Sequence, residues 1–560
     1  MEDKNRSSKF LIPAISLVLL IGAVSAHAES WKFGVMSDTQ WTTTDPAGLN
    51  PNAVSASVIQ QINRQFVNQG VKFVIQVGDL TENGNDADIA QRAVAAQPLI
   101  DAGIGFFPMR GNHETYANPP NNFGIPAFQR NFPQTQNGKF TTTSGRTYTL
   151  GRFFRSPVYL SQDLLGMSYT FDFGDVANTA RFVIIDPWVT PTRNIAAAGY
   201  NYGYSIADQL LWLRLAFDRL FNATPQHTFV FSHQPVMAEN HQDSPFVGYT
   251  DANPAMQNDF FATLARYNVD YYISGHDHIH QRSLVASPDG TSQIEELICA
   301  SDSSKFYTPK NLSDANWKGQ KTRETSISQE RYTLGFYIFT IDGPCVTVEY
   351  YSDDHGNWAS DNCYPDGTTP QSCSTPGSHV TPVLNFVKKE TWGYCQNGQE
   401  FLVPQGASYT TVQSASGSTG ARILEGKNNS TATDYNGRAF QKAVSTGWYS
   451  EYTLSQPDVR LASNILNLLG MADLGNPQTD TYTLSMTYDS TASGNLALVA
   501  KNNMGNWVNA VDMNFGGMKK FVTGPYVPGS PLGTYGFDPS TRTVWAVINY
   551  NGSFAAGILQ

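Results

Sequence analysis

The chain has 560 residues, too many for one ordinary domain, and a hydrophobic share of 41% is enough for more than one core. Charged residues make up only 15%, well below the roughly 25% of average proteins, so Asn, Ser, Thr, Gln and Gly must cover the surface, as suits a secreted protein. A formal net charge of −11 argues against a nucleic-acid groove built on bulk electrostatics and leaves only a local basic patch open.

Residues 1–28 read as a signal peptide. Lys4, Arg6 and Lys9 precede an apolar run over 10–24, and Ala26-His27-Ala28 supplies a small-residue cleavage pattern. Cleavage after Ala28 implies a secreted or periplasmic destination. A membrane anchor needs about 20 apolar residues, and Pro13 and Ser16 interrupt this shorter run. No later segment is long and apolar enough to span a bilayer, so the mature chain is expected to have no membrane span.

From Trp31 onward, apolar runs that read as buried parallel strands each end in a polar motif. The run 31–36 leads to Ser37-Asp38-Thr39-Gln40, and helical periodicity follows over 53–68. The run 71–77 leads to Gly78-Asp79, with a second helix over 89–100. The run 106–109 leads to Arg110-Gly111-Asn112-His113-Glu114. Residues 115–165 are polar and rich in Asn, Pro and Gly; a loop this long is uncommon without a function, and it reads as a pocket wall or a surface hairpin. Strands are expected at 169–173 and 181–188, the second carrying Asp186 as a supporting or structural carboxylate. A helix over 206–220 precedes 229–231 and His233, and one over 256–267 precedes 271–273 and Gly275-His276-Asp277-His278. His241 and His280 read as surface histidines, with a supporting or substrate role left open. Residues 331–341 and 346–351 read as an antiparallel pair.

Strands alternating with helices make a layered α/β domain. In such sheets the carboxyl ends of the strands share an edge, where ligands bind, so these sequence-distant motifs converge on one crevice. Two divalent ions held roughly 3.5–4 Å apart need a shared anionic bridge, which a carboxylate supplies and an imidazole does not. Asp79 is the natural bridge. His, Asn and Gln beside only two Asp suit borderline metals, here Mn, Fe or Zn, and are too oxygen-poor for a calcium cage.

In this order the motifs resemble those of the calcineurin-like metallophosphoesterase superfamily, whose blocks are D-x-H, GD, GNH[DE], H and GHxH. The resemblance covers residues 31–354 with four of five blocks intact. It implies a four-layer α/β/β/α sandwich over residues 29–355 and hydrolysis of phosphomonoesters or phosphodiesters by attack of a metal-bound hydroxide. It further implies that Asp38 and His278 hold one ion with Gln40, that Asn112, His233 and His276 hold the other, and that Asp79 bridges. His113 takes the role of the acid that protonates the leaving oxygen or stabilises phosphoryl charge. Gln40 stands where the family usually has His; its amide oxygen binds divalent metal more weakly, so that site is expected to load weakly or favour a harder ion. Glu82, where purple acid phosphatases carry a metal-binding Tyr, disfavours that branch. The Arg110 form of the third block resembles protein Ser/Thr phosphatases, in which that Arg contacts phosphate, but their GDxxDRG block is absent. Arg110 is accordingly either a phosphate clamp or a surface residue paired with a nearby acid.

All five cysteines lie between Cys299 and Cys395. Cys345, Cys363, Cys373 and Cys395 could form two disulfides in three pairings, and Cys299 reads as a buried free thiol. A Cys₄ zinc site is the rival, though no C-x₂-C pair occurs. Residues 356–395 read as a Cys/Pro/Gly-rich linker, and 396–560 as a C-terminal all-β, sandwich-like domain with β-branched and aromatic runs at 481–488 and 544–550. Those aromatics form either a glycan- or surface-binding face or a core. A small phosphoester is the expected substrate; the alternative is a secreted β-rich binding protein on a non-catalytic metallophosphoesterase scaffold.

Overall fold

In the computed structural model the alternation of buried strands and amphipathic helices becomes two facing sheets, each with helices on its outer side. It describes residues 29–560 apart from 43–44, 46, 52, 116–123, 176–177, 189–205, 219–223, 242, 247–251, 314–320, 355–380, 382, 397–398, 404–410, 415–417, 427–431, 450–457 and 472–477. The signal-peptide expectation at 1–28 lies outside the described residues.

The first sheet runs in the order Phe386–Cys395, Cys345–Asp353, Gly335–Asp342, Trp31–Met36, Phe73–Gln76, Gly105–Pro108. The last three are parallel, and every residue of Phe73–Gln76 and Gly105–Pro108 is buried, as two covered faces require. The crossovers are the helices Ala56–Gln69 and Asp86–Asp101. The first buries Val58, Ile59, Ile62 and Phe66 along one stripe and stops at Gly70, whose φ of 69° is the left-handed C-cap that glycine adopts without strain. The second starts on Asn85, whose side chain accepts the Asp88 N–H at 3.0 Å.

The second sheet runs Glu324–Glu330, His280–Ala286, Gln293–Ile298, Tyr271–Ser274, His227–Ser232, Ala180–Ile185, Tyr169–Phe173, Arg152–Arg155. Its central strands are parallel, and helices Ile206–Phe217 and Pro254–Arg266 cover its outer face. Between the sheets lies an aromatic core in which Phe182 meets Phe33 and Phe73 edge-on, each at 5.0 Å. The result is the expected α/β/β/α order.

Two boundaries differ from the sequence reading. Residues 115–165 are not a bare loop: among the described residues they form helices Ile125–Asn131 and Gln134–Asn137, a hairpin of Lys139–Thr141 with Thr147–Thr149, and the edge strand Arg152–Arg155. The stretch read as a linker ends in the strand Phe386–Cys395, which completes the first sheet against Cys345–Asp353. Cys345 and Cys395 face each other across that pair in a disulfide, Cys299 is buried and free, and Cys363 and Cys373 lie outside the described residues. Lys388 and Lys389 mark Phe386–Cys395 as an edge strand, where lysines deter further pairing.

The C-terminal region packs two further sheets over one core, with Leu466, Leu498 and Phe554 on one side and Leu484, Met486 and Ala546 on the other. Tyr482, Tyr488 and Tyr550, from the two aromatic runs, are buried in that core, and Trp545 is buried on the other face of its strand against Tyr526. A short bridge of this region, Thr433 with Ala439, reaches the first domain: Arg438 pairs with Glu324 at 2.8 Å and Glu239 at 3.5 Å. Among the described residues no helix is long and apolar enough to cross a membrane.

Candidate metal centre

Each motif is a sharp turn off the end of a strand, and the turns are tight enough to carry strain. Asp38, Asp79, His276 and His278 have φ of 45°, 41°, 73° and 54°, in the left-handed region that costs a non-glycine residue about 1–2 kcal/mol. Two glycines allow the turns to close. A Cβ on Gly111 would stand 2.0 Å from Asp79 Oδ1, and one on Gly275 would stand 2.2 Å from Ser37 Oγ and 2.7 Å from Asp38 Oδ2. The backbone ties the turns together: the His276 N–H donates to both Asp38 oxygens (3.1 and 3.2 Å), and the His113 N–H donates to Asp79 Oδ1 at 3.0 Å.

Two groups of ligand atoms result, each within 4.8 Å of one another: Asp38, Asp79 and His278 in one, Asp79, His233 and His276 in the other. Asp79 belongs to both, and all five side chains are buried. His233 Nδ1 donates to the Val77 carbonyl at 2.9 Å, which turns Nε2 toward Asp79 Oδ1 at 3.3 Å and Asn112 Oδ1 at 3.1 Å. His278 is oriented the same way, Nδ1 donating to the Lys305 carbonyl at 2.6 Å and Nε2 facing Asp38 Oδ1 at 3.3 Å. His276 Nε2 lies 3.1 Å from Asp243 Oδ1. Imidazole nitrogens, an amide oxygen and carboxylate oxygens thus converge, which is the donor set of a divalent cation. Burial alone would raise the Asp79 carboxyl, but His233 and His113 beside it hold it well below the usual range. Burial would lower His233, and the charge of Asp79 instead pushes it up to about 10.

Gln40 completes the Asp38 group with its amide. Its Nε2 lies 3.2 Å from Asp79 Oδ2 and 3.4 Å from His278 Nε2, while Oε1 is buried without a hydrogen-bond partner. The two amide ends have nearly the same size, so a half-turn brings the orphaned oxygen to the ligand cluster. That orphaned atom is the sign that the pocket fits an ion better than it fits the amide alone.

His113 belongs to neither group. Its Nδ1 lies 2.6 Å from the Glu82 carbonyl, and its Nε2 is 3.8 Å from Asp79 Oδ2. Glu114 is fully buried and locks two motif turns together by accepting the Thr81 N–H at 2.9 Å and the Gly111 N–H at 2.8 Å. Arg110 is buried: it is 1% exposed, and its Nε donates to Asp186 at 2.8 Å. The acid that pairs with it is therefore buried, not on the surface.

The other histidines divide. His280 is not a surface residue: it is buried among Tyr337, Glu390 and Tyr350, whose ring it stacks on at 4.0 Å. His241 sits half-buried at the rim, Nδ1 on Asp277 at 2.7 Å and its ring 4.0 Å from that of His276. Asp243, Lys305 and Tyr307, the last with its ring 4.9 Å from His278, also reach the centre. They sit in irregular connections with no motif spacing, and sequence reasoning missed them.

A sandwich of this layering, with two ligand groups joined by one aspartate, defines the metallophosphoesterase class of domain. Residues 32–280 match the family model described as calcineurin-like phosphoesterase. No curated protein matches the chain. Among solved structures it is similar to GAP50, the anchor in the inner membrane complex of Plasmodium, at 15% identity over 58% of this chain and 84% of that one, TM-score 0.35. It is also similar to a dimetal phosphatase from Danio rerio (16% identity, 57% and 95% covered, TM-score 0.33) and to PhoD (13%, 66% and 70%, TM-score 0.38).

Proposed function

We propose that the chain is a secreted or periplasmic, metal-dependent phosphoester hydrolase. The observation that carries the reading is that two buried ligand groups share Asp79. Asp38, Gln40 and His278 would hold one ion and Asn112, His233 and His276 the other, with Asp79 between them. Divalent ions there, of Mn, Fe or Zn, would supply Lewis-acid charge for the phosphoryl oxygens and lower the pKa of an attacking water.

The protein's own groups do the rest. The Val77 and Lys305 carbonyls fix the tautomers of His233 and His278, so that neither ring has to reorient during turnover. His113, anchored at Nδ1 on the Glu82 carbonyl, turns Nε2 toward Asp79, the position from which a ring carrying protons on both nitrogens would pass one to the leaving oxygen. Arg110, turned to Asp186, is given no direct contact with the substrate phosphate in this reading.

The test is hydrolysis of p-nitrophenyl phosphate and bis-p-nitrophenyl phosphate by protein stripped of metal and resupplied with Mn²⁺, Zn²⁺, Fe²⁺ or Ca²⁺. Turnover restored by one of the first three supports the reading; a folded sample that hydrolyses neither ester with any ion sinks it. Export is tested separately, by N-terminal sequencing of the protein recovered outside the cytoplasm, which is expected to begin at Glu29.

A further inference from the structure

We propose that Lys305 is a substrate-binding residue that makes the centre prefer phosphomonoesters over phosphodiesters; this rests on the hydrolase reading above. Lys305 lies in the connection that follows the strand Gln293–Ile298. Its main chain and its side chain do different things. The carbonyl accepts from His278 Nδ1 at 2.6 Å and from Ser301 Oγ at 3.0 Å, and the N–H donates to Ser303 Oγ at 3.1 Å. The position of the residue is thereby registered directly to a candidate metal ligand. None of these bonds uses the ammonium.

The ammonium instead extends to His113 and Glu82. Nζ is 3.4 Å from His113 Nε2, which is itself 3.8 Å from Asp79 Oδ2. Its carboxylate neighbour is Glu82, at 3.5 Å. That contact is longer than a well-formed charged hydrogen bond of about 2.7–2.9 Å. The side chain is 20% exposed, so a ligand can reach it, whereas Arg110 and Arg92 are buried and engaged with Asp186 and Gln76. A phosphoryl group seated against Asp79 and within reach of His113 would have Lys305 as its nearest accessible cation among the described residues.

The charge decides between substrate classes. Above its second pKa of about 6 a phosphomonoester carries two negative charges. A diester carries one, with an ester substituent in place of the second oxyanion. An ammonium at this point rewards the extra oxyanion and meets the extra substituent of a diester with nothing to bind.

The experiment compares wild type with Lys305→Ala and Lys305→Arg, each loaded with the metal that supports wild-type turnover and checked for equal metal content and unfolding temperature. Because the main-chain bonds do not need the side chain, Lys305→Ala is expected to fold and load as wild type does. Its kcat/KM for p-nitrophenyl phosphate should fall about 30-fold, the loss of one hydrogen bond between charged groups, while that for bis-p-nitrophenyl phosphate changes less than about threefold. Calorimetric titration with inorganic phosphate should show a parallel loss of affinity of about 30-fold, largely recovered in Lys305→Arg. An equal fall for both esters, or no fall for either, overturns the proposal, as does unchanged phosphate affinity. If wild type hydrolyses neither ester, the hydrolase reading fails on its own, and the phosphate titration still decides whether Lys305 binds the anion.

Discussion

Replacing Gly111 with Ala is a one-carbon perturbation aimed at the closest approach in the centre. The added Cβ would lie 2.0 Å from Asp79 Oδ1, 2.7 Å from Asp79 Cγ and 2.3 Å from the Asp79 backbone nitrogen. A flexible side chain could turn aside, but the backbone nitrogen cannot, so reaching an ordinary contact of about 3.4 Å requires the two turns to part by roughly 1 Å. Overpacking of this kind costs about 1–3 kcal/mol. Asn112 Oδ1 and the His113 N–H ride on the displaced turn, and Glu114 is bonded to it, so the ligand geometry shifts with it. A misplacement near 1 Å costs about 100-fold in rate. The assay pairs thermal unfolding of the metal-stripped protein with kcat/KM for p-nitrophenyl phosphate after reconstitution. Gly111→Ala should unfold a few degrees below wild type, bind less metal and lose about two orders of magnitude in rate. A variant that keeps wild-type stability, metal content and rate would refute the packing described for these turns.

The Cys345–Cys395 disulfide closes a loop with a sequence separation of 50, so its reduction should cost about 4 kcal/mol in a denaturant titration and leave the centre, which it does not touch, with its metal affinity. Glu390 is pulled down from 4.5 to about 2: burial opposes this, but Arg282 and the hydrogen bond from His280 prevail. Its folded value lies below its unfolded one, so its contribution, about 3 kcal/mol, is present above the ordinary carboxylate pKa and is lost as pH falls through about 2. Acid titrations of unfolding free energy should therefore flatten between about pH 5 and 2 in Glu390→Gln, and an unaltered slope would contradict the pairing. Gln40→His replaces an amide oxygen with an imidazole and should tighten the weaker metal site by on the order of tenfold, read by competition with a chelator; unchanged affinity would show that the side chain at position 40 is not a ligand.

What was legible in the sequence follows from which interactions are local. The strands before Asp38, Asp79, Asn112, His233 and His276 are buried on nearly every residue and so read as mostly apolar runs, and the first helix between them keeps one apolar stripe. Glycines at the turns are legible too, since Gly111 and Gly275 leave no room for a side chain. Lys305, Tyr307, Asp243 and His241 were not legible as a group, because no periodicity governs their segments. Lys305 arrives at His278 only because Tyr271–Ser274 and Gln293–Ile298 pair in parallel, which sends the following chain back across the same edge. Phe386–Cys395 was hidden for a related reason: it follows a Pro/Gly/Ser-rich stretch, and its middle carries Lys388, Lys389, Glu390 and Thr391 in a row, which breaks any clean apolar face. Arg110 and Asp186 lie 76 residues apart, and their buried pairing depends on the two sheets facing each other.

The central claim is that Asp79 joins two metal sites. The most direct measurement is the number of divalent ions bound per chain, by mass spectrometry of the reconstituted protein and of Asp79→Asn, with turnover and unfolding temperature followed in the same samples. Two ions per wild-type chain, fewer than two in Asp79→Asn, and abolished turnover in a variant that still folds are the results expected. A wild type that binds no more than one ion, or an Asp79→Asn protein that keeps two ions and its activity, would contradict it.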